Sequence, residues 1–232
     1  PGMNRPQKTY ATRKYFAQAG NVLSESELQL NGTVIKVRTG TDGRLAVINN
    51  AGRRGFRICE KCGYAEIVKG KPPGRHKNSL GKECRGKFDR YSLGYEFKTD
   101  ILQLWFPDYF NAEEGFWLSL LYGILEGACN ALDIERQDVD GTLYYYSGNR
   151  HSPALVLFDD VPGGAGHVRN IAEEANLLAA LERTLEIVSR CDCGGERADT
   201  SCYGCLRNYG NQYCHDALKR GYVIEFLANL MQ

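Results

Sequence analysis

Apolar side chains recur at helical spacing through the stretch Asn111–Leu132, NAEEGFWLSLLYGILEGACNAL. Asn111 is a good helix-capping residue, and Glu114 three positions later completes a pattern typical of a capping box. The spacing therefore predicts a core helix from Asn111 to about Leu132. Its buried stripe is predicted to contain Trp117, Leu120, Leu121, Ile124, Leu125, Ala128 and Cys129. Cys129 is interpreted as a small apolar side chain and not as a metal ligand.

Segments rich in β-branched and aromatic residues lie on both sides of this helix. Residues 33–38 and 44–49 flank a Gly/Asp-containing segment, 39–43, and predict a β-hairpin. Further strands are predicted at 91–97, 101–106, 142–147 and 154–158, and further helices at about 167–190 and 215–231. Because strands and helices do not alternate strictly, we predict an α+β fold with a mixed or antiparallel sheet and packed helices.

Charge is distributed unevenly along the 232 residues, although the formal net charge is only +1. Residues 1–100 contain 20 Lys/Arg and 9 Asp/Glu, whereas residues 101–232 contain 9 and 19. A basic half is typical of proteins that contact nucleic-acid phosphates, and an acidic partner is the alternative. We therefore divide the chain into a basic, β-rich N-terminal region, 1–106, and an α+β domain, 107–232.

The chain has nine cysteines, and this odd number, with six of them in C-x-x-C or C-x-C pairs, favours metal sites in a reducing compartment over a disulfide framework. The first pair, Cys59 and Cys62, is followed by Gly63, a spacing typical of a zinc knuckle. Zn²⁺ normally takes four protein ligands in a structural site. Cys84 and His76 lie downstream and complete a predicted Cys₃His site, with an exposed loop imidazole as the alternative interpretation of His76.

The second set of cysteines is more compact: Cys191-x-Cys193 and Cys202-x-x-Cys205 offer four thiolates within one short segment. Cys214 or His215 is an alternative to Cys193, because ligands in C-x-C spacing are more strained than those in C-x-x-C. Both predicted sites are closed by four ligands, whereas catalytic zinc needs an open coordination position. The sequence therefore predicts structural zinc.

The glycine-rich segment 161–166, VPGGAG, follows a predicted strand and precedes a predicted helix. Such a turn can bind phosphate through backbone N–H groups, but this one lacks the Lys-Ser/Thr of a P-loop. The other interpretation is a tight turn under close packing. Asp159 and Asp160 just before it suggest a cryptic nuclease as a minor alternative, although neighbours on a strand point to opposite faces.

If DNA is bound, the basic residues around the first cysteine pair are the expected contacts. Tyr64 is a candidate for stacking on an unpaired base. The candidate nucleic-acid contacts are Arg53, Arg54, Tyr64, Lys69, Lys71, Arg75 and Lys77.

Several of these segments together resemble the MrfA-associated zinc-binding (MZB) domain family, formerly a domain of unknown function. They are Leu157–Gly166 (LFDDVPGGAG), Cys191-x-Cys193, Ser201–Gln212 (SCYGCLRNYGNQ) and His215, with Arg57–Gly63 (RICEKCG) and Tyr10–Asn21 resembling the region that joins such domains to the protein body. The resemblance covers nearly the whole chain and is specific as a set. It implies structural zinc at Cys191, Cys193, Cys202 and Cys205.

The family is found at the C-terminus of superfamily 2 DEAD/DEAH-type helicases, some with DNA-repair roles, and in DISARM-related phage-defence proteins. This chain contains no G-x-x-x-x-G-K-[ST] sequence and no D-E-x-H box, so we expect no motor or other enzyme activity from it alone. The resemblance implies an accessory zinc domain that holds or guides DNA and packs against a helicase core, in cis or in trans. The alternatives are a protein-interaction adapter with structural zinc in a repair or defence complex, and the nuclease.

The apolar stretches are far shorter than a membrane span, and no secretory signal is evident. We therefore expect no membrane partner and a cytoplasmic protein.

Overall fold

A computed structural model describes residues 12–147 and 151–232. It divides into two compact units that interleave along the sequence. The smaller, here called the knuckle unit, is built on Val47–Tyr95, and the larger, the sheet unit, combines Lys14–Ala46 with Glu96–Gln232. This division differs from a linear boundary at residue 106, because the N-terminal strands join the same sheet as strands that follow the knuckle unit.

Eleven strands and four α-helices are found in the described residues, together with 3₁₀ helices at Gly195–Arg197 and Gln212–Ala217. The strands are β1 (Arg13–Gln18), β2 (Asn21–Leu30), β3 (Thr33–Asn49), β4 (Phe56–Cys59), β5 (Ala65–Ile67), β6 (His76–Lys77), β7 (Glu83–Cys84), β8 (Phe88–Tyr91), β9 (Leu93–Trp105), β10 (Val139–Tyr144) and β11 (Ala154–Asp159). The helices are α1 (Glu114–Leu132), α2 (His167–Ile171), α3 (Glu174–Arg190) and α4 (Arg220–Leu230).

The sheet unit is built on one sheet with the order β1-β3-β9-β11-β10, and β2 also pairs with β3. The pairs β2–β3, β9–β11 and β10–β11 are all antiparallel. With helices packed on this sheet, the architecture confirms the predicted α+β class. None of the helices in the described ranges combines the length and apolarity needed to cross a membrane.

Helix α1 lies at the centre of the sheet unit's core, packed against α3, α4 and the sheet. All seven side chains of the predicted stripe are buried, including Cys129. Two glycines permit this packing. A Cβ at Gly127 would lie 2.1 Å from Thr184 Oγ1 on α3, and one at Gly141 would lie 2.7 Å from Leu121 Cδ1. Small residues at these points therefore set the close approach of α1 to its neighbours.

The predicted cap at Asn111 is wrong: α1 begins at Glu114 without a side-chain cap, and the Asn111 side chain instead accepts the Glu113 N–H (2.8 Å) in the turn that precedes the helix. The predicted helix at 167–190 is divided into α2 and α3, and that at 215–231 into a 3₁₀ helix and α4.

The predicted hairpin within residues 33–49 is wrong: these residues form one long strand, β3. The hairpin turn lies earlier, at Asn31-Gly32, where both residues have positive φ, as a two-residue hairpin loop requires. Gly43 lies within the strand and allows β9 to pack closely, since a Cβ there would lie 2.4 Å from Ile101 Cγ2. Glycine in a strand marks a close approach of this kind as well as a turn.

The knuckle unit contains short strands where the sequence suggests mostly Gly, Pro and Lys. A three-stranded sheet has the order β5-β4-β8, and a two-stranded hairpin pairs β6 with β7. In that hairpin His76 lies directly opposite Cys84.

Candidate metal centres

The first predicted cluster is assembled in the knuckle unit. Strand β4 ends at Cys59, and a tight turn closed by the Gly63 N–H and the Cys59 carbonyl (3.0 Å) brings Cys62 alongside it. The register of the β6–β7 hairpin adds His76 and Cys84. One ligand atom from each of these four residues lies within 4.8 Å of all the others.

The distances in this cluster suit Zn²⁺. A tetrahedral ion with Zn–S bonds of about 2.3 Å separates its sulfur ligands by about 3.8 Å. Cys59 Sγ and Cys84 Sγ are 3.8 Å apart, and Cys62 Sγ lies 3.1 Å from His76 Nε2. A Cβ at Gly86 would lie 2.5 Å from Cys59 Sγ, so the chain approaches the cluster closely at a glycine.

The electrostatics of the thiols also favour a cation. Burial raises the pKa of Cys59, but backbone hydrogen bonds from Cys62 and Lys61 outweigh it and lower that pKa to about 7. At Cys62 the Tyr64 backbone lowers the pKa, whereas burial and the nearby Cys59 and Cys84 raise it, and the net direction is upward. Thiols this close resist joint ionisation unless a positive ion lies between them.

Packing orients the His76 ring. The ring is buried between Tyr64 and Phe88, with ring centroids 5.1 Å and 4.8 Å away. Nε2 faces Cys62, and Nδ1 is buried without a hydrogen-bond partner among the described residues. The structure therefore places His76 with the cysteines and not in an exposed loop.

The second cluster follows α3 in the sheet unit and contains Cys191, Cys193, Cys202 and Cys205. Its Sγ–Sγ distances are 3.4 Å for 191–193, 3.5 Å for 191–202, 3.7 Å for 193–205 and 3.9 Å for 202–205. These bracket the spacing of about 3.8 Å expected around tetrahedral zinc.

Backbone N–H groups point at the sulfurs of this cluster, as in a zinc knuckle. The Cys202 N–H lies 3.2 Å from Cys205 Sγ, and the Gly204 N–H lies 3.3 Å from Cys202 Sγ. Burial, and then the neighbouring Cys191, raise the pKa of Cys193 to about 11, and burial raises the pKa of Cys205 well above its usual value. A cation bound here would therefore stabilise the thiolate forms of Cys193 and Cys205.

Cys214 and His215 lie outside this cluster. The Cys214 thiol donates to the Asn211 carbonyl (3.2 Å), and His215 Nε2 lies 2.8 Å from Asn211 Oδ1. The structure thus brings Cys193, and neither alternative, to the other three cysteines.

The glycine-rich segment is a packed turn. The buried Asp159 carboxylate accepts the backbone N–H groups of Ala165 (2.5 Å), Gly166 (2.6 Å) and Val168 (3.0 Å). These donors, which would otherwise suit a phosphate, are already engaged. Asp160 instead pairs with Lys14.

The predicted basic contacts are exposed and share the knuckle unit. Residues 47–95 contain twelve Lys/Arg and four Asp/Glu. Arg53, Arg54, Lys69, Lys71, Arg75 and Lys77 are all exposed. Arg75 lies 3.5 Å from Glu83, and Tyr64, 38% exposed, rests on His76. Five further cations of the same unit are exposed and were not among the predicted contacts: Lys61, Lys82, Arg85, Lys87 and Arg90.

Comparison with known proteins confirms the resemblance drawn from the sequence. Residues 120–206 match the family model of the MrfA Zn-binding domain, and this range includes all four cysteines of the second cluster. Druantia protein DruE of Escherichia coli (strain UMEA 4076-1) is 29% identical over 246 residues, 91% of this chain. A crystal structure of the DUF1998 helicase MrfA bound to DNA matches 95% of this chain with a TM-score of 0.50 and 16% identity, which shows a shared fold.

The chain spans 13% of DruE and 25% of the MrfA chain. The likeness is therefore to one part of larger proteins. Together, the family match and the two four-ligand clusters identify Zn²⁺ as the cofactor that this chain fits.

Proposed function

We propose that this chain is a zinc-stabilised accessory domain of a helicase-like protein, with a helicase core as its partner in cis or in trans. The observation that carries the proposal is the pair of closed clusters within a fold shared with a DNA-bound helicase. Cys59, Cys62, His76 and Cys84 would hold one ion, and Cys191, Cys193, Cys202 and Cys205 the other. Zn²⁺ at such sites supplies cross-links between chain segments and no open coordination position.

We further propose that the knuckle unit contacts DNA through its basic surface. Twelve cations against four carboxylates give this unit a strong positive charge. Three of its cations lie near carboxylates, since Arg75 and Arg85 share Glu83 and Arg57 pairs with Glu66, and the unit keeps an excess of positive charge. Phosphate contacts of this kind release counterions, so affinity should fall steeply with salt.

The test is DNA binding measured across a salt series with the whole chain. The variant replaces Lys69, Lys71, Arg75 and Lys77 by Ala. Its matched control replaces four exposed cations of the sheet unit by Ala: Arg44, Lys98, Arg190 and Arg197. We expect the first variant to bind DNA more weakly. The slope of log binding constant against log salt concentration should also become shallower by about 0.9 for each lost phosphate contact. Equal affinity and slope in both variants would remove the knuckle unit from DNA contact.

A protein-interaction adapter is the second candidate, and one observation favours it. Tyr203 and Tyr209, beside the second cluster, are 61% and 84% exposed, with ring centroids 6.3 Å apart. Exposed tyrosines are enriched at protein interfaces. Binding to a helicase core that is lost in a Tyr203→Ser, Tyr209→Ser variant, with unchanged DNA binding, would favour the adapter.

A further inference from the structure

One cleft of the sheet unit belongs to neither metal centre. On β9, Leu102 and Leu104 face the helical core, so the alternating Gln103 and Trp105 project from the opposite face of the sheet. Gln103, Trp105 and Tyr146 line a cleft of about 520 Å³ together with the neighbouring strands β2 and β3. Lys36 and Arg38 stand at its rim.

One residue that lines this cleft carries a buried hydrogen-bond donor without a partner among the described residues. Gln103 is 3% exposed, and its Oε1 accepts the Tyr146 hydroxyl at 2.5 Å. Its Nε2 has no partner among the described residues. A buried amide without an acceptor is unfavourable, so the site is complete only when something supplies an acceptor atom.

The walls of the cleft are aromatic and held in position. The Trp105 and Tyr146 ring centroids are 6.1 Å apart. The indole N–H donates to Ser152 Oγ (3.2 Å), which in turn donates to the Phe106 carbonyl (2.8 Å). A stacking surface fixed by hydrogen bonds loses little freedom on binding.

Charge at the rim is paired but accessible. Lys36 Nζ lies 5.7 Å from the centre of the Trp105 ring and 3.5 Å from Glu27, and Arg38 lies 2.7 Å from Glu25. All four side chains are more than 40% exposed, so these ion pairs are weak and exchangeable. If a ligand stacks on the indole, a phosphate attached to it would lie close to the Lys36 ammonium.

We propose that this cleft binds an unpaired nucleobase, stacked on Trp105 with a carbonyl oxygen or ring nitrogen accepting from Gln103 Nε2. A nucleotide has a planar ring that can stack on Trp105 and an acceptor on the ring edge that can pair with the Gln103 amide. Its phosphate can pair with Lys36 at the rim of the cleft. An unmodified protein segment could supply an acceptor and an aromatic ring, but not the phosphate that the Lys36 ammonium beside the indole favours. The inference rests on the proposed DNA-related function, which it extends from phosphate contact to contact with one base.

The experiment uses the whole zinc-loaded chain and Trp105 fluorescence, with the buried Trp117 as a constant background. The probes are dTMP, oligo(dT), and an oligonucleotide of equal length and charge with abasic sites. We expect oligo(dT) to quench Trp105 and to bind about tenfold more tightly than the abasic strand. Gln103→Leu should reduce this ratio to about twofold, whereas Gln18→Leu, an exposed glutamine on β1, should leave it unchanged.

Each outcome decides the proposal. Quenching by dTMP alone that Gln103→Leu abolishes supports the same site with a free nucleotide as its source. Equal binding of oligo(dT) and abasic strands by the unmodified chain overturns the base site, and a salt-dependent affinity in that result leaves the proposed phosphate contacts standing. Absence of any binding overturns both. Unchanged melting temperatures of Gln103→Leu and Gln18→Leu show that the comparison is between folded proteins.

Discussion

The guanidinium of Arg220 donates a hydrogen bond from Nε to the carbonyl oxygen of Cys193 across 2.7 Å. The same buried side chain also donates to the carbonyls of Gly195 (2.7 Å) and Val188 (3.3 Å). Arg220 is the first residue of α4, and the three carbonyls belong to the end of α3 and to the second cluster. One arginine therefore holds the cysteine turn between two helices.

We predict that Arg220→Met lowers the free energy of unfolding by about 3 kcal/mol, because it leaves three carbonyls without a charged donor. It should also speed zinc loss to a chelator from the second cluster. Denaturant unfolding and chelator competition measure these effects. The control is Arg197→Met, an exposed arginine of the same turn, and equal behaviour of the two variants would contradict this role.

The first cluster predicts that His76 is replaceable by another zinc ligand and not by a small apolar residue. His76→Cys offers a thiolate in place of Nε2 and should keep zinc, since a Cys₄ site is equally closed. His76→Ala should lose the ion of the first cluster and unfold the β6–β7 hairpin, because metal binding and folding are coupled. Zinc content measures both, with the exposed His151→Ala as control. Full zinc content in His76→Ala would remove His76 from the site.

Asp159 is predicted to act in folding and not in catalysis. Its carboxylate accepts three backbone N–H groups while fully buried. Asp159→Ala leaves these donors unsatisfied and should cost about 3 kcal/mol of stability, against little change in the exposed Asp192→Ala. Denaturant unfolding checks this. Mg²⁺-dependent DNA cleavage by the unmodified chain, lost in Asp159→Asn at unchanged stability, would support the nuclease alternative instead.

Local patterns in the sequence were enough to predict α1 and both metal clusters. The α1 stripe from Trp117 to Cys129 recurs over about three helical turns, and zinc ligands occur at short, chemically constrained spacings. Cys59 and Cys62 are three residues apart, and Cys202 and Cys205 likewise. Such local spacings can be recognised without knowing the tertiary packing of the rest of the chain.

Features set by distant packing were not predictable in this way. In the sequence alone, Gly43 is typical of a turn, so β3 was predicted as two strands. The structure shows that the glycine instead allows Ile101 on β9 to approach closely. Arg220 carries no local sign that it binds the Cys193 carbonyl 27 residues earlier. The choice of Cys193 over Cys214 also depends on how the turn after α3 folds back on itself.

The zinc content of the purified chain, measured by elemental analysis without added metal, tests the central claim most directly. We predict two zinc ions per chain. Cys59→Ser and Cys205→Ser should each lower the value to about one, because each opens a different four-ligand site. One zinc in the unmodified chain that survives Cys59→Ser, or no zinc at all, would contradict the account.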